Sequence, residues 1–203
     1  MSNPPFTVLT SIAAPLDMRN VDTDQIIPAR FLRRQRSEGF KDQLFCDLRF
    51  DEEGRSRADF VLNNARYRDA RILVARENFG SGSSREYAVY ALWDYGIRAV
   101  IAPSFGDIFF SNAMKNGLLP IMLPHAGVEH LLQRLHRDPT ATLTIDLAQQ
   151  VVVEPTGERH GFEIDAFRKQ LLLSGADELD FTLDFLPQID AFERQRAARQ
   201  PWA

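Results

Sequence analysis

The sequence predicts an α/β fold on a mainly parallel central sheet, with extra β-hairpins and a C-terminal helix, and three observations predict it. First, Ile72-Leu73-Val74-Ala75, Ala99-Val100-Ile101-Ala102 and Ile121-Met122-Leu123 are short apolar runs with the length and branching of buried strands. Second, residues 87–95 and 107–116 lie between them with helical patterning, and Gly96 and Gly117 follow where a terminating glycine belongs. Strand, helix, strand, helix, strand at this spacing implies βαβ crossovers and parallel pairing. Third, the β-rich runs 142–145 and 151–154 bracket a short polar stretch, as a hairpin does.

Taken in order, residues 6–13 form a strand candidate closed by Pro15. Asn20-Val21-Asp22-Thr23-Asp24-Gln25-Ile26-Ile27-Pro28 follows. Its Asn, Asp and Thr side chains are turn and N-cap chemistry, and Pro28 argues against a long helix. The cluster either caps itself or offers its oxygens to a ligand. Periodicity breaks down over residues 29–53, where Arg30, Arg33, Arg34 and Arg36 interleave with Phe31, Leu32, Phe40, Leu44 and Phe45. Such a stretch is a solvated basic face or a lid-like binding loop. Asp51-Glu52-Glu53-Gly54 reads as a surface turn. In the second helix Phe105, Ile108, Phe109 and Met114 are core candidates. Residues 127–137 form an amphipathic helix stopped by Pro139, with His130 and His136 at its surface. Thr156-Gly157 is a turn before the strand candidate 162–164, and Asp165 starts a helix to about Leu173. The chain is expected to be one domain over residues 1–203, with a helical tail at 190–203.

Composition excludes several classes. A formal net charge of −4 gives no electrostatic footprint for nucleic acid or an anionic membrane. No apolar run approaches a membrane span, and the N-terminal residues lack a secretion signal's pattern, so a cytoplasmic address is expected. The single cysteine, Cys46, excludes an internal disulfide and a cysteine-ligated iron–sulfur cluster housed by this chain alone. The 4 histidines show no metal-binding spacing, so no metal site is expected.

The chemistry-bearing stretch is Arg76-Glu77-Asn78-Phe79-Gly80-Ser81-Gly82-Ser83-Ser84-Arg85-Glu86-Tyr87. It joins a strand end to a helix start, where unpaired N–H groups and the helix dipole favour an anion. Gly80 and Gly82 are expected to let the backbone approach a ligand, and Arg85 to clamp a carboxylate with its planar fork. A competing reading exists. Ser83-Ser84-Arg85-Glu86 also fits the capping box, in which Ser83 merely caps the helix.

Three stretches taken together are similar to one family. They are the 20–28 segment, Glu77 through Glu86, and Ile101-Ala102-Pro103-Ser104-Phe105 with Phe109, Asn112 and Gly117-Leu118-Leu119-Pro120. They resemble the small subunit of 3-isopropylmalate dehydratase, the aconitase-like isomerase of leucine biosynthesis, over nearly the whole chain. The resemblance implies a swivelling β/β/α domain like the last domain of aconitase. It implies a partner, the large subunit, in a heterodimer or heterotetramer; that partner carries the [4Fe–4S] cluster. The substrate is a small dicarboxylate, and a hydroxyl moves between adjacent carbons by dehydration and rehydration.

The resemblance also implies residue roles. Ser83 matches the serine that acts as an alkoxide base, held by helix-start N–H groups and a nearby cation. Arg85 matches the substrate-carboxylate clamp, with Ser84 and Gly82 beside it, and Thr23 and Asp24 match the polar pair closing the site. Arg30, Phe31, Leu32 and Arg33 fall on the loop where family members select substrate. Two departures stand out: Ser81 occupies a position where many members carry cysteine, and Tyr87 one where histidine is usual. Tyrosine cannot supply a cation near neutral pH, which points to citramalate, 2,3-dimethylmalate or another alkylmalate as an alternative substrate.

Overall fold

The computed structural model describes residues 4–176, 178–183 and 185–200. In chain order its elements are β1 (Val8–Leu16), α1 (Thr23–Ile26), α2 (Cys46–Arg49), β2 (Ile72–Ala75), α3 (Glu86–Tyr95), β3 (Ala99–Ala102), α4 (Asp107–Lys115) and β4 (Leu119–Met122). Then come α5 (His125–Arg137), β5 (Thr142–Asp146), β6 (Val151–Val153), β7 (Arg159–Gly161), α6 (Ala166–Ser174), α7 (Glu178–Leu183) and α8 (Leu186–Arg199). The strands form one mixed sheet in the order β4-β3-β2-β1-β5-β6-β7. Its first four strands are parallel, and the expected hairpins extend the same sheet as an antiparallel half.

The period-2 side-chain alternation of the strands divides the apolar residues between two cores. Leu73, Ala75, Val100 and Ala102 face one side and pack with Ala88, Val89, Ala91 and Leu92 of α3. Ile72, Val74, Ala99 and Ile101 face the other and pack with Val128, Leu131, Leu132 and Leu135 of α5. The strands are therefore buried on both faces, which is why they read as unbroken apolar runs. Gly96 ends α3 at φ +117° and donates its N–H to the Leu92 and Trp93 carbonyls, as its position predicted.

Several boundaries differ from the sequence expectation. β1 continues through Pro15 instead of stopping before it. Residues 8–12 pair with β5 and residues 13–16 with β2, so Pro15 lies where β5 has ended and its missing donor costs no ladder bond. β4 starts two residues early and includes Pro120, tolerable because β4 is an edge strand. The third strand of the antiparallel half is residues 159–161 rather than 162–164.

The larger correction concerns residues 29–53. Arg30, Arg33 and Arg36 are exposed, as on a solvated basic face, but Phe40, Leu44 and Phe45 are fully buried in the α3-side core and anchor the segment. Burial of each contributes about 1.5–3 kcal/mol. Asp94 of α3 clamps the segment further, accepting two bonds from Arg36 at 2.7 and 2.8 Å and one from the Phe40 N–H at 2.8 Å. Short 3-10 turns at 29–31, 36–38 and 41–43 destroy any helical or strand period, so packing alone reveals this wall.

Among the described residues no helix is long and apolar enough to cross a membrane. The helical tail lies in α8, which is exposed along nearly its whole length; its last residues, 201–203, lie outside the described residues.

Candidate active site at the carboxyl ends of the parallel strands

Loops leaving the carboxyl ends of β1, β2 and β3 meet, the place where open parallel sheets present ligand sites. The junction is made by backbone bonds. Gly80 and Ser81 donate N–H groups to the Val21 carbonyl at 2.7 and 3.2 Å, and the Thr23 N–H donates to Ser81 at 2.9 Å. From the third loop, Ser104 accepts the Phe79 N–H at its carbonyl (3.1 Å) and the Asn78 N–H at its Oγ (2.9 Å). Asn20 and Asn78 both adopt the left-handed conformation, at φ +51° and +61°, and Asn78 Nδ2 donates to Asn20 Oδ1 at 2.9 Å. Asparagine tolerates that region better than other side-chain-bearing residues. Sequence reasoning read Asn20 as turn chemistry but assigned no role to Ser104 or to Asn78; asparagine at two loop tips was the available signal.

The two glycines do different work. At Gly80 (φ +73°) an added Cβ would stand 2.2 Å from Phe109 Cγ. Its bareness is demanded by close packing inside the protein, not by a ligand. Gly106 interlocks with it, since a Cβ there would stand 2.4 Å from the Gly80 carbonyl oxygen. Gly82 is exposed at φ +92°, and a Cβ on it meets only ordinary contacts at 3.6 Å or more. There it is the backbone conformation that calls for glycine.

Helix α3 begins at Glu86, with Arg85 as its N-cap residue and no side chain capping it. The capping box is therefore absent. Glu86 instead accepts from Asn116 Nδ2 at 2.8 Å. The Ser83 carbonyl accepts the Thr23 hydroxyl at 3.0 Å, which anchors the turn, while the Ser83 and Ser84 side chains are exposed. Among the described residues neither serine hydroxyl makes a hydrogen bond. Arg85 is only 13% exposed and is ion-paired to the more open Asp24. Asp22 caps α1 through the Gln25 N–H at 2.7 Å while Gln25 Oε1 accepts the Asp22 N–H at 3.0 Å, so this turn does cap itself.

The geometry thus brings Gly82, Ser83, Ser84, Arg85, Thr23 and Asp24 into one locality, with Thr23 buried and engaged through its bond to Ser83. Among the described residues no hydrogen bond or ion pair joins Arg30, Phe31, Leu32 or Arg33 to it. Arg30 ion-pairs with Asp47, and Arg30 and Phe31 line a separate cleft with Cys46, Phe50 and Arg57. Burial, followed by the Asp47 charge, pushes the Cys46 thiol up to about 11. One protonated thiol cannot supply the three or four thiolates an iron–sulfur cluster needs, so this chain's residues do not fit a cluster of their own. Tyr87, where histidine is usual, packs edge-on against Phe40 (5.2 Å, 86°) and Tyr90 (5.8 Å, 68°).

Fold and site together define an α/β domain that presents a serine–arginine turn at a strand-to-helix junction, the class of the aconitase C-terminal domain. The aconitase C-terminal domain family model matches residues 3–126, and the LeuD_N model matches residues 129–166. The 3-isopropylmalate dehydratase small subunit of Rhodospirillum centenum is 53% identical over 198 residues, covering 98% of each chain. That of Rhodospirillum rubrum is 54% identical over 197 residues, covering 97% of this chain and 95% of the relative. Among solved structures, the 3-isopropylmalate dehydratase from Methanocaldococcus jannaschii superposes with a TM-score of 0.62 at 28% identity, covering 91% of this chain and 99% of that one. The chain belongs to the family of 3-isopropylmalate dehydratase small subunits.

Proposed function

We propose that this chain is the catalytic small subunit of a two-subunit hydro-lyase that interconverts 2- and 3-isopropylmalate in leucine biosynthesis, acting as one swivelling domain against a large subunit. The observation that carries the reading is the Ser83–Arg85 turn. An unbonded, exposed hydroxyl lies on a backbone anchored by Thr23, two residues from a largely buried guanidinium. Near-full-length relatives at about half identity carry the dehydratase name.

In this reading Ser83 takes the proton from the carbon next to a substrate carboxylate. The C–H bond breaks to the serine oxygen, its electron pair forms the alkene, and the adjacent C–O bond breaks with its pair to oxygen. The hydroxide takes the proton back from the serine, leaving as water and restoring the alkoxide, and rehydration in the opposite sense gives the isomer. A serine alkoxide is stable enough only beside positive charge and preorganised donors, here the first N–H groups of α3 and Arg85. Arg85 exchanges Asp24 for a substrate carboxylate of matching geometry. Gly82 and Ser84 line the turn beside that carboxylate. Lewis acidity toward the leaving hydroxyl is assigned to the large subunit's [4Fe–4S] cluster.

Substrate choice is assigned to Arg30, Phe31, Leu32 and Arg33, which reach the substrate only if the large subunit completes a cavity between their cleft and the serine turn. Tyr87, packed on Phe40 and Tyr90, leaves citramalate, 2,3-dimethylmalate or another alkylmalate as the alternative substrate, and the name carried by the relatives supports isopropylmalate. Ser83→Ala, co-expressed with the large subunit, tests the assignment. Loss of a positioned base lowers kcat by about 100–10,000-fold, with the complex still assembled. Full turnover in that variant excludes Ser83 as the base, and a preference for citramalate in a malate series overturns the substrate.

A further inference from the structure

Away from the serine turn, folding gathers four side chains that are distant in sequence. His130 projects from α5; Glu154, Glu158 and His160 come from the turn joining β6 to β7 and from β7 itself. His130 Nε2 stands 3.2 Å from Glu154 Oε1 and 3.3 Å from Glu158 Oε2, and His160 Nε2 lies 2.7 Å from the same Glu154 oxygen. The Glu154 side chain is 1% exposed, and its other oxygen, Oε2, has no hydrogen-bond partner. Among the described residues no lysine or arginine pairs with it. A carboxylate buried this deeply is costly unless a cation and a full set of partners satisfy it.

The geometry points to a divalent transition-metal site of the kind Zn²⁺ occupies, with His130, Glu154 and Glu158 as ligands and His160 as the positioning residue. The spacing supports it. Zinc–nitrogen and zinc–oxygen bonds of about 2.0–2.2 Å set tetrahedral ligand–ligand edges near 3.3–3.5 Å. The 3.3 Å edge from His130 to Glu158 falls in that range, and the 3.2 Å edge to Glu154 lies just below it. The 2.7 Å contact from His160 is instead a hydrogen bond, the arrangement in which an outer histidine orients a ligating carboxylate. Imidazole with carboxylates suits zinc-like ions, whereas calcium and magnesium prefer all-oxygen shells. The turn is built to hold the two glutamates: Glu154 N–H donates to the Glu158 carbonyl, and Gly157 N–H to the Glu154 carbonyl, both at 2.9 Å. An ion there pins α5 to the antiparallel half of the sheet. Linear spacing of the histidines excluded a metal site, but the ligands are assembled across elements, where spacing carries no information.

The test uses the full-length chain without a histidine tag, stripped of metal and titrated with Zn²⁺ by calorimetry against a competing chelator. A single equivalent binds, and at a 100-fold excess over Kd the Tm rises by about 5–10 °C; Mg²⁺ gives no rise. His130→Gln and Glu158→Gln, both at half-exposed positions, keep the metal-free Tm and lose the zinc-induced rise. His160→Gln weakens binding by about 10–100-fold while the stoichiometry holds. Cys46→Ser binds as the parent does. Failure to bind Zn²⁺ saturably overturns the proposal and leaves the cluster as paired imidazoles and carboxylates only. Binding untouched by His130→Gln and Glu158→Gln overturns it equally, by locating the ion elsewhere.

Discussion

Gly80→Ala isolates what holds the serine turn in place. Two costs are incurred. The backbone at φ +73° costs a side-chain-bearing residue about 1–2 kcal/mol. The new methyl would also stand 2.2 Å from Phe109 Cγ and 2.6 Å from its Cβ. Phe109 is 2% exposed and lies against Phe79 at 5.3 Å, so the ring has little room to retreat. Overpacking of that kind costs about 1–3 kcal/mol. The sum, about 2–5 kcal/mol, lowers the Tm by about 5–15 °C for a chain of this size. Gly54→Ala supplies the internal control, because Gly54 has φ +76° and nothing within 4 Å of its missing Cβ. It bears the backbone cost alone, a Tm loss of about 2–6 °C. The difference between the two variants, read by calorimetry at one pH, measures the contact with Phe109. Equal losses in both would show that the ring yields freely and that the junction is not locked as described.

Three other predictions concern charge and chemistry. Arg85→Lys keeps the cation but loses the fork, and kcat/KM of the two-subunit enzyme falls by about 10–150-fold; parental kcat/KM would exclude a bidentate clamp. The Arg76 hydrogen bond holds the Asp17 carboxyl below its usual range, and hydrogen bonds from Gln133 and then Arg76 do the same for Glu129. The stability these depressed groups contribute is complete above their ordinary values of 3.8 and 4.5 and is lost as pH falls through the lower folded values. Arg76→Gln therefore lowers the Tm at neutral pH and converges on the parent in acid; a Tm gap that widens in acid would reverse the sign. Cys46, held near 11 instead of 9.0 by burial and Asp47, reacts sluggishly with iodoacetamide at pH 8, about 100-fold below an ordinary thiol through its smaller thiolate fraction. A rate profile with its midpoint near 9.0 or lower would contradict that environment.

The local contest at Ser83 shows how far residue patterns reach. The motif from Gly80 to Glu86 was legible as a strand-to-helix turn, and both the capping box and the anion site fitted its letters. Only coordinates separate them, since α3 starts two residues later than a capping serine requires and Glu86 bonds to Asn116. Gly80 was misread for a similar reason: a glycine says that space is short, not whether protein or ligand fills it.

Strands buried on both faces and helices closed by Gly96 and Gly117 were determined by sequence alone, because propensity, periodicity and capping act over a few neighbouring residues. Tertiary structure decided what depends on residues far apart in the chain. It let β1 run through Pro15 by changing partners, buried Phe40, Leu44 and Phe45 in the core against α3, and drew His130 to Glu154 and Glu158. Those outcomes follow from which surfaces exclude water together and which buried charges must find partners, and neither is written in the spacing of adjacent letters.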